Sequence, residues 1–268
     1  MIIAIIIIAV LFLLFVLSNI GRAGHPGLQA LRGHAYAHRG LHGDSAPENS
    51  LEAFRLAKEA GYGVELDVHL LKDGNLAVFH DKTLERMTGR EGRIVDLTTE
   101  ELKDYHLSGT EYTIPTFREV LKLFDGKVPL IVELKVVGNC AALCEKTCKM
   151  LDSYKGPYCL ESFHPGCIRW LKKNRPDLIR GQLTQNYFVN SKARLLWCLK
   201  LLMRHQVLNF LTRPDFVAYR YSDRKTLSNF ICRKIWKLQG VTWTLRSQEE
   251  FDTAVKEDWI PIFDGFRP

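Results

Sequence analysis

Residues 61–68 read Gly61-Tyr62-Gly63-Val64-Glu65-Leu66-Asp67-Val68. Apolar residues alternate with two carboxylates, so the run predicts a strand with Glu65 and Asp67 on one face and Val64, Leu66 and Val68 on the other. Such a strand fits a sheet with helices packed on its aliphatic side and a polar space on its acidic side. Two carboxylates this close repel, and one is driven to keep its proton unless a cation compensates. A divalent ion is the economical answer. Ordinary ion pairs with Lys135, Arg39 or Lys72 are the bland alternative.

Working outward, 35–38 predicts a strand and 49–60 a helix whose Leu51, Phe54 and Ala57 share a face, with Asn49 or Ser50 as N-cap and Gly61 as stop. A turn at Lys72-Asp73-Gly74 leads to a further strand at 76–80. Residues 82–113 are polar and irregular. A helix over 115–124, with Pro115 in its first turn, restores the rhythm. A strand at 130–135 and a cysteine-bearing helix at 140–153 follow. Later strands are expected at 158–162, 178–183, 216–219, 241–244 and 260–263, with a basic amphipathic helix around 190–208.

Roughly eight strands separated by helices predict an α/β chain folded as a TIM (β/α)8 barrel, although a doubly wound open sheet shows the same alternation. The polar residues decide between them. His38, Glu65 with Asp67, His80, and Glu133 with Lys135 fall at or near the carboxyl ends of predicted strands. A barrel gathers all such ends at one mouth, whereas an open sheet gathers only those at its switch point.

Glu133, among Ile131, Val132 and Leu134, adds a third carboxylate from another strand. Glu65, Asp67 and Glu133 form a hard oxygen set suited to Mg²⁺ or Ca²⁺. Cleavage of a phosphodiester needs one group to deprotonate the nucleophile and another to protonate the leaving oxygen, and His38 and His80 can divide that work. Arg39 and Lys135 would set positive charge against the non-bridging oxygens. Asp81 orients a ring or caps the following turn. His34, His42, His69 and His164 are assigned to structural hydrogen bonding.

His38-Arg39-Gly40, then Pro47-Glu48-Asn49-Ser50 with Ala53-Phe54, closely resembles the opening of the glycerophosphodiester phosphodiesterases. The likeness continues through Glu65-Leu66-Asp67-Val68, Lys72-Asp73-Gly74, His80-Asp81, Thr83-Leu84, Arg86 with Thr88-Gly89, Ile114-Pro115-Thr116 and Glu133-Leu134-Lys135. Ser162-Phe163 and Trp243-Thr244 match later positions, while Phe263-Asp264-Gly265 only loosely resembles the family's closing strand. The resemblance covers about 35–268. It implies a TIM barrel with a small insertion after the second strand, His38 and His80 as acid and base, and Glu65, Asp67 and Glu133 as metal ligands. It maps Arg39 and Lys135 to phosphate binding. The implied reaction yields an alcohol and glycerol 3-phosphate from a glycerophosphodiester, or a lysophosphatidate-type product from a lysophospholipid. The neighbouring glycerol hydroxyl attacks first in one version. Trp243 belongs to a headgroup or glycerol pocket, or else to the barrel core. A phospholipase D-like enzyme that stops at a cyclic phosphate, and a non-catalytic module binding phosphorylated ligands, are the alternative readings.

Net charge is +7, which favours anionic partners without choosing among them. Basic tracts interleaved with stacking aromatics are missing, which argues against nucleic acid. Seven cysteines without paired short spacings argue against a disulfide framework and suit a reducing compartment. Cys140, Cys144 and Cys148 recur every four residues on one helix face, as a small apolar stripe or, less simply, as soft metal ligands. Residues 2–17 are all apolar. Sixteen helical residues span ~24 Å, and Ser18 to Ile20 extend that towards ~28 Å, against ~30 Å for a bilayer core. A transmembrane anchor at 1–20, a juxtamembrane linker at 21–34 and the barrel domain at 35–268 are therefore expected. A cleaved signal peptide is the rival reading. Arg22, Arg32 and Arg39 follow the apolar run, so a single-pass membrane protein with a cytoplasmic catalytic domain is the expected arrangement.

Overall fold

Helix α1 (Ile2–Ser18) is followed by β1 (Tyr36–His38), α2 (Leu51–Glu59), β2 (Gly63–Leu70) and a short β3 (Leu76–Val78). After α3 (Glu85–Thr88) come α4 (Phe117–Phe124), β4 (Leu130–Leu134), α5 (Cys140–Leu151), β5 (Tyr158–Ser162), α6 (Pro165–Asn174) and β6 (Arg180–Thr184). The chain then forms α7 (Trp197–Arg204), α8 (Asn209–Thr212), β7 (Phe216–Arg220), α9 (Leu227–Phe230), β8 (Gln239–Leu245), α10 (Gln248–Lys256) and β9 (Trp259–Phe263). This computed structural model describes residues 1–189 and 195–268. The part of the expected basic helix at 190–194 lies outside the described residues, and α7 takes up Trp197–Arg204 of the rest.

Eight strands are parallel, and the ring closes because β1 pairs with β2 on one side and β9 on the other. The (β/α)8 barrel expected from the alternation is therefore present. Val64, Leu66 and Val68 of β2 pack outward among Phe54, Phe117 and Phe124 of the helices. Ile131, Cys159, Leu183, Phe216 and Ala218 share the barrel's inner cluster. Each fully buried Leu, Ile, Val or Phe side chain contributes ~1.5–3 kcal/mol. Local chemistry agrees with this packing. Ser50 caps α2 by accepting from Ala53 N, and Thr116 with Glu119 forms a capping box on α4. Pro115, expected inside the first turn of α4, stands just before its N-cap.

Residues 76–80 depart from expectation. The strand ends at Val78 and runs antiparallel to β2, outside the closed ring. The β2–β3 hairpin carries the chain beyond the rim and back, and Phe79 N donates to Asp67 O at 3.0 Å. His80 thus arrives at the mouth from this hairpin and not from a barrel strand. The insertion after it has its own small core of Phe79, Leu84, Met87, Ile94, Leu102 and Leu107.

The amino-terminal expectations need correction. Helix α1 has 17 residues, which is ~25 Å at 1.5 Å per residue, and none of its side chains is buried. No helix among the described residues is long and apolar enough to cross a membrane. The expected extension fails because the helix stops at Ser18 and Asn19 is buried against the barrel. Trp236 Nε1 donates to Val16 O at 2.8 Å, fixing the helix end there. Residues 21–34 do not hang free as a linker. Arg22 Nη2 binds the buried Asp215 carboxylate at 2.7 Å, and Leu28 and Leu31 join the barrel's inner cluster. Tyr36 OH donates to Leu31 O at 2.8 Å, so this segment forms the floor of the barrel.

Candidate active site

Strand register brings the acids together. His38 lies opposite Glu65 across β1 and β2, while Asp67, Glu133 and Glu161 align across β2, β4 and β5. The ligand oxygens of Glu65, Asp67 and Glu133 lie within 4.8 Å of one another, and all three residues are buried. Lys135 Nζ bridges Asp67 at 3.0 Å and Glu133 at 2.8 Å. Asn49 Nδ2 donates to Asp67 Oδ2 at 2.9 Å, and Arg39 N donates to Glu65 Oε2 at 3.2 Å.

The backbone that delivers these groups is unusual. Arg39 and Asn49 both have a φ of 56°, a region that Asn tolerates and Arg rarely visits. Asn49 N donates to Arg39 O at 2.9 Å, which ties the two together. Gly40 follows at φ 84°, where a Cβ would meet the Ala53 backbone at 2.9 Å. His38-Arg39-Gly40 therefore needs its glycine both for conformation and for close packing on α2.

Electrostatics divides the carboxylates. Burial, reinforced by Asp67 and Glu133, raises the Glu65 carboxyl well above its ordinary value. Burial also raises Glu133, although Lys135 opposes it. For Asp67 burial acts upward too, but Lys135, His80 and Arg39 outweigh it and hold the group below the usual carboxylate range. Lys135 is raised, because Asp67 and Glu133 overcome the effect of burial. One lysine and a shared arginine thus leave the three acids short of positive charge. The donor set is all oxygen, so a hard divalent cation fits both the charge deficit and the chemistry of the ligands.

The histidines differ. Burial lowers His38 to about 4, despite an opposing contact between its Nδ1 and Asp264 Oδ2 at 3.4 Å. His38 is therefore neutral at pH 7. His80 Nδ1 lies 2.7 Å from Asp81 Oδ1, which leaves its other ring nitrogen for different work. Asp81 continues the chain through Arg86 to Glu48, and Glu48 Oε1 accepts from Arg39 Nη1 at 2.8 Å. An unbroken line of charge pairs thus links His80 to the Arg39 beside Asp67.

His38, Arg39, Glu65, His80, Glu133, Lys135 and Trp243 line one cavity of about 250 Å³. Asp67 lies beneath it, bonded to Lys135. Trp243 stacks edge-on with Phe163 at 5.6 Å and lies under Arg220, and its buried Nε1 has no hydrogen-bond partner among the described residues. A second cavity of about 700 Å³ shares His80, Glu133, Lys135 and Phe163 and extends to Tyr187, Leu195, Leu199 and Met203.

Several participants were not singled out from sequence. Glu161 carries the same signal as Glu133, a carboxylate near the carboxyl end of an apolar strand, and burial raises it strongly. Arg220 ends β7 in the same way. Asp264 follows β9 directly, but the altered closing motif concealed it. His42, assigned to ordinary hydrogen bonding, points Nε2 at Asp264 Oδ1 at 3.0 Å and so belongs to the wall behind His38. His164 lines the larger cavity. His69 borders the same cavity and contacts His80 O at 3.3 Å through Nε2.

Buried acids and two histidines converging on the carboxyl ends of parallel strands define a (β/α)8-barrel protein with a polar, cation-seeking site. The chain belongs to the glycerophosphoryl diester phosphodiesterase family, whose model matches residues 38–263. It is 41% identical over 249 residues to glycerophosphodiester phosphodiesterase 1 of Rattus norvegicus, covering 81% of this chain and 72% of that one. It is 34% identical over 163 residues to a glycerophosphodiester phosphodiesterase of Bacillus altitudinis, covering 56% of this chain and 66% of that protein, just under two thirds of its length. In fold it is similar to a phosphodiesterase of Oleispira antarctica solved with the product sn-glycerol-3-phosphate. The TM-score is 0.72 at 22% identity, covering 91% of this chain and 95% of that one.

Proposed function

We propose that the chain is a divalent-cation-dependent phosphodiesterase that hydrolyses glycerophosphodiesters, lysophospholipids among them, to an alcohol and a phosphomonoester. One observation carries this reading: Glu65 and Glu133, grouped with Asp67 just beneath, line one cavity with a neutral His38 and an Asp81-anchored His80. A bound Mg²⁺ or Ca²⁺ would supply positive charge to the non-bridging phosphate oxygens. Arg39 and Lys135 add fixed positive charge on the same side. His38, kept unprotonated by burial, accepts the proton of the attacking hydroxyl, whether of water or of the neighbouring glycerol carbon. His80, with Nδ1 held by Asp81, delivers a proton from its other nitrogen to the departing alcohol as the P–O bond breaks; where the glycerol hydroxyl attacked, water then opens the resulting cyclic phosphate with the two histidines' roles exchanged. The unpaired Nε1 of Trp243 supports its assignment to the substrate pocket.

The larger adjoining cavity, walled by Leu195, Leu199 and Met203, suits an acyl chain and supports lysophospholipids as substrates. The exposed apolar surface of α1 supports contact with a lipid surface without spanning it. The free cysteines favour its cytoplasmic side. The test is phosphorus NMR of products from glycerophosphocholine, glycerophosphoethanolamine and lysophosphatidylcholine, with Mg²⁺, Ca²⁺ or chelator. Cation-dependent phosphomonoester is the expected product. A terminal cyclic phosphate would instead favour the phospholipase D-like reading, and no turnover on any substrate would leave only the binding module.

A further inference from the structure

A second group of metal-binding side chains lies at the barrel rim, chemically unlike the first. Cys140 opens α5, Cys144 follows one turn later, and Cys167 lies in the first turn of α6. Their sulfurs lie within 4.8 Å of one another, with Cys140 and Cys167 at 2.9 Å. The helical stripe of Cys140, Cys144 and Cys148 is real, but Cys148 lies outside this group, and Cys167 from the neighbouring helix takes its place.

A candidate fourth donor stands nearby. His164 is the N-cap residue of α6, and its ring lies across Gly166 from the Cys140 thiol, outside the 4.8 Å sulfur group, so it would turn toward the sulfurs to complete the set. Ring and thiol flank Gly166, where a Cβ would lie 2.7 Å from His164 Cε1 and 3.8 Å from Cys140 Sγ. Glycine at that position keeps the space between them clear. A disulfide would use two of these sulfurs and leave the third and the imidazole without purpose. Three sulfurs and one imidazole are the donor set of a closed tetrahedral site, in which ~2.3 Å bonds put sulfurs ~3.8 Å apart. The sulfurs, all within 4.8 Å of one another and closest at 2.9 Å, need to move apart only slightly to reach it. Thiolate and imidazole select a borderline-soft ion and reject Mg²⁺ and Ca²⁺.

We propose that Cys140, Cys144, Cys167 and His164 bind one Zn²⁺ in a structural site separate from the carboxylate centre. Both helix starts follow strands that carry cavity residues, Glu133 on β4 and Glu161 on β5. The ion would therefore pin two adjacent loops of the mouth, one of them containing Lys135.

Co²⁺ titration of the full-length chain, purified under reducing and anaerobic conditions, tests this. The expected result is one equivalent giving the strong near-ultraviolet thiolate-to-cobalt band, displaced by Zn²⁺. Cys144→Ala and Cys167→Ala should lose that band, and Glu65→Gln should keep it. His164→Ala should keep thiolate character but hold Zn²⁺ at least about tenfold more weakly. If the cysteine variants fail to fold, the wild-type chain still decides. Bound Zn²⁺ should protect three thiols from a thiol reagent until a chelator strips it. Only weak oxygen-ligand cobalt bands, unprotected thiols, or an anaerobically isolated chain mostly two hydrogens lighter through a Cys140–Cys167 bond would overturn the proposal.

Discussion

Glu65 and Asp67 stand two residues apart on one strand, yet their surroundings drive them in opposite directions, Glu65 up and Asp67 down. Glu65 has the weaker cationic support, so it is the acid most dependent on an added ion. Glu65→Gln should weaken divalent-cation affinity at least about tenfold and abolish turnover with the fold intact, read by calorimetry and product assay. His80→Ala should cost about 10²–10⁴ in kcat, and a loss below tenfold would reduce it to a structural residue. His69 offers a stability test. Burial lowers it to about 4, against ~6.5 when unfolded. Between those values the unfolded chain binds a proton that the folded chain refuses, so stability falls as pH drops through that window. Its share is ~2 kcal/mol between pH 7 and pH 5. His69→Gln should lose about that much less than wild type over the same interval, measured by denaturant unfolding. Spacing and strand position made Glu65, Asp67 and Glu133 legible in the sequence. Asp264 was not, because its partner His38 is 226 residues away and no local pattern records that contact.

At the scale of elements, the alternation of strand and helix was readable because outward aliphatic runs and helix caps are local. Whether a given strand joins the ring is not local. The run 76–80 has ordinary strand chemistry, and only the tight turn after Leu71 folds it back against β2. Consequently His80 depends on the insertion's own small core. Phe79 is 1% exposed, and Phe79→Ala should cost ~3–5 kcal/mol in that core. Hydrogen exchange across 82–113 should quicken and kcat should fall, while the amides of β4 to β9 stay protected. The length of α1 was overestimated for a similar reason. Its apolar composition is plain, but its stop at Ser18 is imposed by burial of Asn19 on a surface made much later in the chain.

For the molecule as a whole, the floor and the mouth of the barrel can be separated by experiment. Removal of residues 2–14 leaves Val16, Asn19 and the floor contacts in place. Turnover of a soluble glycerophosphodiester should survive, and cosedimentation with vesicles should fall. Arg22→Ala instead leaves Asp215 buried without its guanidinium, and should cost ~2–3 kcal/mol in denaturant unfolding, since Arg22 is itself partly exposed. The net charge of +7 should make capture of an anionic substrate faster at low salt, seen as a fall in kcat/KM with ionic strength.

The ring closes on its shortest member, three residues of β1 held between β2 and β9. During synthesis β2 emerges soon after β1, whereas β9 follows some two hundred residues later. Until then the barrel has an open seam, and the His38 imidazole has no Asp264 behind it. Nascent chains on the ribosome therefore carry Glu65, Asp67, Glu133 and both histidines of the site well before they can work. Catalytic competence arrives in one step, when the seam is sealed.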